Sequence, residues 1–197
     1  CGRFGIDDRG SLKIAFRSHT DQSALQTDDP SAAGHVTAVA SNGIPLVVKA
    51  ERRRNVRPWM NTLYIRAERW MAEGDTITVT FADLRLQTFC EDTFEFRVFV
   101  DAHATYDYTE LPDAAQPVIR IVPGPPVAWK LVGPTRRRPG QPFRLGLKCE
   151  DRWGNPSDKV DAAVSLVADP PIPGLPEGVE LRPGRRAVEI GGTAPAP

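Results

Sequence analysis

Proline and glycine punctuate this chain so evenly that hardly a window is left for a helix. Nineteen prolines and sixteen glycines are spread along 197 residues. Each proline removes a backbone donor, and each glycine weakens the regular element it interrupts. Between these breaks recur short segments in which apolar and polar residues alternate, the period of a half-buried strand. SLKIAFR sets Leu12, Ile14 and Phe16 against Lys13, Ala15 and Arg17, and DTITVTF sets Ile77, Val79 and Phe81 against threonines. The clearest run, TFEFRVFVD, puts Phe94, Phe96, Val98 and Val100 on one face and Glu95 and Arg97 on the other. HVTAVAS, PLVVKAE and TLYIRAE extend the series. A helical stripe of Leu63, Ala67, Trp70 and Met71 competes for the last of these, but Thr62, Tyr64 and Ile65 favour extended backbone. The pattern predicts an all-β protein, with glycine-centred turns in SNG at 41–43 and AEGD at 72–75.

Composition changes abruptly within VIRIVPGPPVAWKLV. PGPP lacks an amide donor at its prolines and reads as an extended Pro-rich linker, 123–126, between a module spanning 1–122 and a second spanning 127–197. In the second module VAWKLVG, PFRLGLKCE, VDAAVSLVA, GVELR and RAVEI are short strands between Pro and Gly turns, the pattern of an immunoglobulin-like β-sandwich. That fold normally uses ~7 strands, so the last one or two are expected to be missing. The expected architecture is two tandem β-sandwich modules, the second immunoglobulin-like and truncated. CEDRWGNPSD in this module is similar to the D-x-x-G-N-P turn of bacterial immunoglobulin-like modules in adhesin stalks. Asp151 is expected to accept local backbone donors, Gly154 to adopt a positive φ beside Asn155, and Pro156 to restart the chain in extended form.

Charge narrows the partners. The 25 Lys and Arg balance 25 Asp and Glu, so the net positive field of a dedicated nucleic-acid binder is missing. Local basic runs remain, ERRRNVRPW at 51–59 and TRRRPG at 135–140, both read as solvated turns. No apolar run approaches the ~20 residues that span a bilayer, and no membrane role is expected. Cys1, Cys90 and Cys149 are too few and scattered for a disulfide framework or a metal site. Cys149 is in phase with Phe143, Leu145 and Leu147 and is expected in the core. Unpaired thiols fit the cytoplasm better than the periplasm. Cys1 invites a lipoprotein reading, but CGRFGIDDRG runs directly into the first strand without a tether, and Cys1 is read as an edge of the chain.

Bond-breaking chemistry finds no foothold. His19, His35 and His103 are isolated, with no HxH or HExxH pair. There is no G-x-S-x-G elbow, and no glycine-rich phosphate loop opens a helix. No catalytic residue, metal ligand or cofactor is expected. The carboxylate pairs Asp7–Asp8, Asp28–Asp29 and Asp158 with Asp161 lack the EF-hand repeat; DDPS at 28–31 reads as a capped turn, with calcium as the competing reading. Aromatic rings carry the best competing function: Trp59, Tyr106 and Trp153 are candidates for a sugar-stacking platform. Trp153, between Arg152 and Gly154, is expected to be exposed, whereas Trp129 alternates with Val127 and Leu131 and is expected to be buried.

Taken in order, GRFGIDDRGSLKIAFR, the ASNG turn, NVRPW, GDTITVTF, RLQTFCEDTFEFRVFVD, IRIVPGPP and CEDRWGNPSD resemble the N-terminal portion of a bacterial family catalogued as domain of unknown function 3604. The resemblance implies β-rich modules that precede a metal-dependent catalytic domain similar to the polymerase and histidinol phosphatase phosphoesterases. It makes this chain the non-catalytic front end that scaffolds or positions that downstream domain. A carbohydrate-binding or adhesion-type module is the alternative. The chain departs from the family pattern twice. The family pattern carries a longer Gly-rich segment where this chain reads FADLRLQTF, so the junction near Asp83 and Leu84 reads as either a natural deletion or an omitted loop, and a further strand is expected where GGTAPAP ends the sequence.

Overall fold

The computed structural model describes residues 1–18, 20–52 and 55–195. Among them there is no α-helix; strands are joined by turns and by one 3-10 turn at Asp113–Ala115. The chain divides into two compact units, Cys1–Ile121 and Val122–Pro197.

The first unit contains β1 (Ser11–Phe16), β2 (His35–Ala40), β3 (Leu46–Arg52), β4 (Asn61–Ala67), β5 (Ile77–Ala82), β6 (Glu91–Glu95), β7 (Arg97–Asp101), β8 (Thr109–Glu110) and β9 (Val118–Ile121). A five-stranded sheet runs β3-β4-β1-β7-β8, while β2 pairs with β5 and β6 with β9. Alternation explains the register: β1 and β4 are antiparallel with Leu12 opposite Ile65 and Ile14 opposite Leu63, so both strands turn the same apolar set to one face. Val36 of β2 packs there against Leu63 and Ile65, joined by Ala38, Val79 and Phe81. Burying side chains of this size contributes roughly 1.5–3 kcal/mol each.

TFEFRVFVD forms two strands rather than one. Pairing breaks at Phe96, where β6 leaves its partner β9 and the chain continues as β7 beside β1. The Phe96 amide donates instead to the Pro117 carbonyl. Its ring packs edge-on against Phe94 and Phe16, 5.3 and 6.1 Å away between centroids. An aromatic cluster thus fills the corner at which one run of sequence serves two sheets.

The opposite face of the five-stranded sheet is covered as well, so β1 is more than half-buried. Ser11, Ala15 and Thr62 on that face are all buried. The segment after β7 returns over it: Tyr108 shares a 2.7 Å hydrogen bond between its hydroxyl and that of Ser11. Gln116, also buried, closes the edge by accepting the Val98 amide (2.8 Å) and donating to the Leu111 carbonyl (2.8 Å). The chain passes the junction at Asp83 and Leu84 continuously, Asp83 taking a left-handed φ of 48° just after β5.

The second unit contains β10 (Ala128–Val132), β11 (Pro142–Glu150), β12 (Ala162–Ser165), β13 (Gly178–Leu181) and β14 (Val188–Thr193). One sheet runs β10-β11-β14 and the other pairs β12 with β13. Cys149, Val160 and Leu181 form its core cluster, with Ala162 and Val188 against them. The GGT of the terminal stretch is not a fading end: Gly191, Gly192 and Thr193 complete β14 opposite Arg144, Phe143 and Pro142.

Leu63 is fully buried in the cluster shared by β2 and β4. Leu63→Ala is expected to destabilise the first unit by about 2–5 kcal/mol in denaturant titration, the range for a buried leucine that leaves a cavity. A loss under about 1 kcal/mol would contradict this packing.

Candidate functional site

At the end of β7 the buried carboxylate of Asp101 shapes the loop that follows. Its Oδ1 accepts the His103 amide (3.3 Å), the Thr105 amide (3.0 Å) and the Thr105 hydroxyl (3.1 Å), and its Oδ2 accepts the Tyr106 amide (2.7 Å). Burial alone would raise its pKa; the Thr105 and Tyr106 amides outweigh burial and hold the carboxyl below its ordinary value. Against this loop lies the turn before β1, zipped by the Asp7 amide donating to Ala102 (2.8 Å) and the Arg9 amide to Ala67 (3.0 Å). Gly10 is required there, because a Cβ would stand 2.8 Å from the Ala102 carbonyl oxygen.

Between loop and turn opens a cleft of about 230 Å³ lined by Arg9, Ser11, Tyr64, Arg66, Asp101, Ala104 and Tyr106. Its backbone is strained. Four described non-glycine residues have positive φ, and three of them, Arg9 (70°), Ala104 (56°) and Tyr106 (64°), line this cleft. Each left-handed residue costs roughly 1–2 kcal/mol, and such outliers gather at functional sites. Tyr106 is 82% exposed. Arg66 donates to Glu68 through Nε (2.9 Å) and Nη2 (2.6 Å), whereas Arg9 has no carboxylate partner among the described residues.

Trp59 lies at the other end of the same strands. Its ring faces the guanidinium groups of Arg17 and Arg97, 5.6 and 5.3 Å from its centroid. Those cations are already engaged, Arg17 with Glu91 (2.7 Å) and Arg97 with Glu110 (2.9 Å) and Asp113 (2.6 Å). Trp59 neighbours the start of β7 and Tyr106 its end, so the two rings do not share one platform. A wider cleft of about 740 Å³ opens near this end between Thr20, Gln22, Arg52 and Asn61. Arg53 and Arg54 of the basic run ERRRNVRPW, and His19, lie outside the described residues.

The second unit repeats the aspartate device. Asp151, buried at the end of β11, accepts the amides of Trp153 (2.9 Å) and Asn155 (3.0 Å) on Oδ1 and of Gly124 (2.9 Å) on Oδ2, while the Asn155 side chain donates to both oxygens. Burial opposes ionisation, but the Asn155 side chain and the Gly124, Asn155 and Trp153 amides bring the pKa down to about 2. Gly154 takes φ 89°, and the chain leaves through Pro156, bridged to Glu150. The PGPP segment opens this unit: Pro123 is fully buried, and the Gly124 carbonyl accepts the buried Ser157 hydroxyl at 2.9 Å. Trp153 is half exposed, with the Arg152 guanidinium 3.9 Å over its ring.

Trp129 corrects an expectation. It stands opposite Cys149 and Leu131 opposite Leu147, so both point to the core face of the sheet. Yet Trp129 is 42% and Leu131 56% exposed, while Leu147 and Cys149 are each only 5% exposed. The β12–β13 pair covers the Cys149 side of that face and leaves β10 bare.

Elsewhere Asp29 caps its turn, accepting the amide and hydroxyl of Ser31 at 2.9 and 2.7 Å. Among the described residues no three His, Cys, Asp or Glu side chains converge to hold a metal ion, and no helix is long and apolar enough to cross a membrane. The Asp101 loop was the feature sequence reading passed over. DAHATY carries the same buried-aspartate role as DRWGNP without its Gly-Asn-Pro signature.

Because the folded pKa of Asp151 is depressed from 3.8 to about 2, its contribution is fully present above the unfolded value and is lost as pH falls between them. It amounts to about 2 kcal/mol. The stability of the second unit is expected to fall by that amount from pH 4 to pH 2, and Asp151→Asn is expected to flatten this slope; an unchanged slope in the variant would contradict the assignment. Compared with protein-family models, curated proteins and solved structures, the chain finds no match in any of the three.

Proposed function

We propose that the chain is a pair of β-sandwich modules, the second immunoglobulin-like and short of its full strand set, that scaffolds a metal-dependent hydrolase domain of the same polypeptide and is not itself catalytic. The single observation that carries this reading is the bare stripe on β10. Val127, Trp129 and Leu131 recur at a spacing of two and are 65%, 42% and 56% exposed, on a face whose other strand is core. Contiguous apolar surface of this kind marks a place where another folded body packs. The five strands in two sheets among the described residues of the second unit also fall below the ~7 of an immunoglobulin-like sandwich, in keeping with a face left for a neighbour to complete. The resemblance of GRFGIDDRGSLKIAFR, RLQTFCEDTFEFRVFVD and CEDRWGNPSD to the family of domain 3604 supplies the neighbour's chemistry: a phosphoesterase-like domain with a His-rich metal motif.

Incubated with p-nitrophenyl phosphate or its diester and Mn²⁺, Zn²⁺ or Mg²⁺, the chain is expected to show no turnover above the metal blank; turnover would overturn the reading. A second expectation addresses the stripe itself. Trp129→Gln should cost less than about 1 kcal/mol of stability in this chain, as for an exposed site, against the 3–5 kcal/mol of a buried tryptophan. A loss in the larger range would mean that the chain covers this face unaided.

A further inference from the structure

We propose that the cleft between Arg9, Tyr64 and Tyr106 binds a hexuronate residue of an acidic polysaccharide. This site is separate from the β10 stripe and stands whether or not that stripe meets a hydrolase domain. At about 230 Å³ the cleft lies below the roughly 300–1,000 Å³ that admits drug-sized ligands, and suits one sugar ring rather than an oligomer. The rest of a polysaccharide would run out over its open mouth.

Three features specify the ring's chemistry. Tyr106 presents an exposed aromatic face, and flat exposed rings stack against the C–H face of a pyranose. The Tyr106 backbone is fixed by its amide on Asp101, so the ring's mounting is ordered in advance and less is lost on binding. Around it the polar inventory favours an anion. Two guanidinium groups and one carboxylate line the cleft, and that carboxylate spends both oxygens on its own loop. Arg9, with no acid partner among the described residues, is the free fork for a ligand carboxylate. Tyr64 supplies a hydroxyl for the sugar's own.

The concentration of positive φ at Arg9, Ala104 and Tyr106 is the second, independent observation. A surface loop with no task could relieve such strain by taking glycine at these positions, as the turns at Gly43 and Gly74 do. Here the three positions keep side chains that a ligand can touch.

Calorimetric titration of the intact chain with trigalacturonate and triglucuronate tests the proposal, with galactotriose and cellotriose as neutral counterparts and sodium sulfate as a bare anion. At least one uronate trimer is expected to bind saturably, about tenfold or more tighter than its neutral counterpart and than sulfate. Amide chemical-shift changes in the unsubstituted protein should centre on Arg9, Tyr64 and Tyr106. Arg9→Asn and Tyr106→Asn, chosen because asparagine tolerates positive φ, should each weaken binding by about tenfold or more with unfolding temperature retained. Failure of both uronates to bind, equal binding of neutral trimers or sulfate, or shifts centred elsewhere would each overturn the proposal. Should a variant lose its fold, the shift map of the unsubstituted protein decides.

Discussion

Two buried carboxylates at strand ends organise the parts of this protein that are not strand. Asp101 closes β7 and Asp151 closes β11, and each turns its charge back onto the amides of the loop it begins. A buried charge without donors would be costly; with three or more charge-assisted hydrogen bonds, each typically contributing about 1.5–3 kcal/mol, it becomes the fixed point of its loop. In the first unit that fixed point sets Tyr106 at the rim of a cleft and sends the chain back over the outer sheet face, where Tyr108 meets Ser11. In the second it gathers Gly124 and Asn155, so that the proline-rich opening and the start of the next segment meet at one residue.

The two devices differ in what they leave exposed. The Asp101 loop stores backbone strain beside the exposed Tyr106 and beside Arg9, which has no carboxylate partner among the described residues. The Asp151 loop is closed on itself; its exposed tryptophan is already stacked under Arg152. What remains open in the second unit is the apolar β10 stripe of Val127, Trp129 and Leu131. One chain thus carries two surfaces of contrasting chemistry, one polar and concave, the other flat and apolar.

Much of the fold was legible because alternation is a local property. β1, β2, β4 and β5 lie where Leu12, Val36, Leu63 and Val79 alternate with polar neighbours, and Thr62, Tyr64 and Ile65 decided correctly for strand over helix. The break at Phe96 was not legible, since the apolar phase runs through it unbroken and only pairing partners reveal the change of sheet. Trp129 shows the same limit from another side. Its phase identifies the face, correctly, but whether a face is covered depends on strands elsewhere in the chain. At the sites, Asp151 was readable through its Gly-Asn-Pro context, while Asp101 shares its role without that signature. Tyr106 was picked out as a ring, yet its neighbours Arg9 and Tyr64 come from distant sequence and meet it only through the β1–β4–β7 register.

Residue-resolved hydrogen exchange at neutral pH tests most directly whether the two carboxylates hold their loops. The amides of Thr105, Tyr106, Trp153, Asn155 and Gly124 should then exchange as slowly as those within β7 and β11, although none of them belongs to a strand. Exchange as rapid as that of an unprotected, solvent-exposed amide would contradict it.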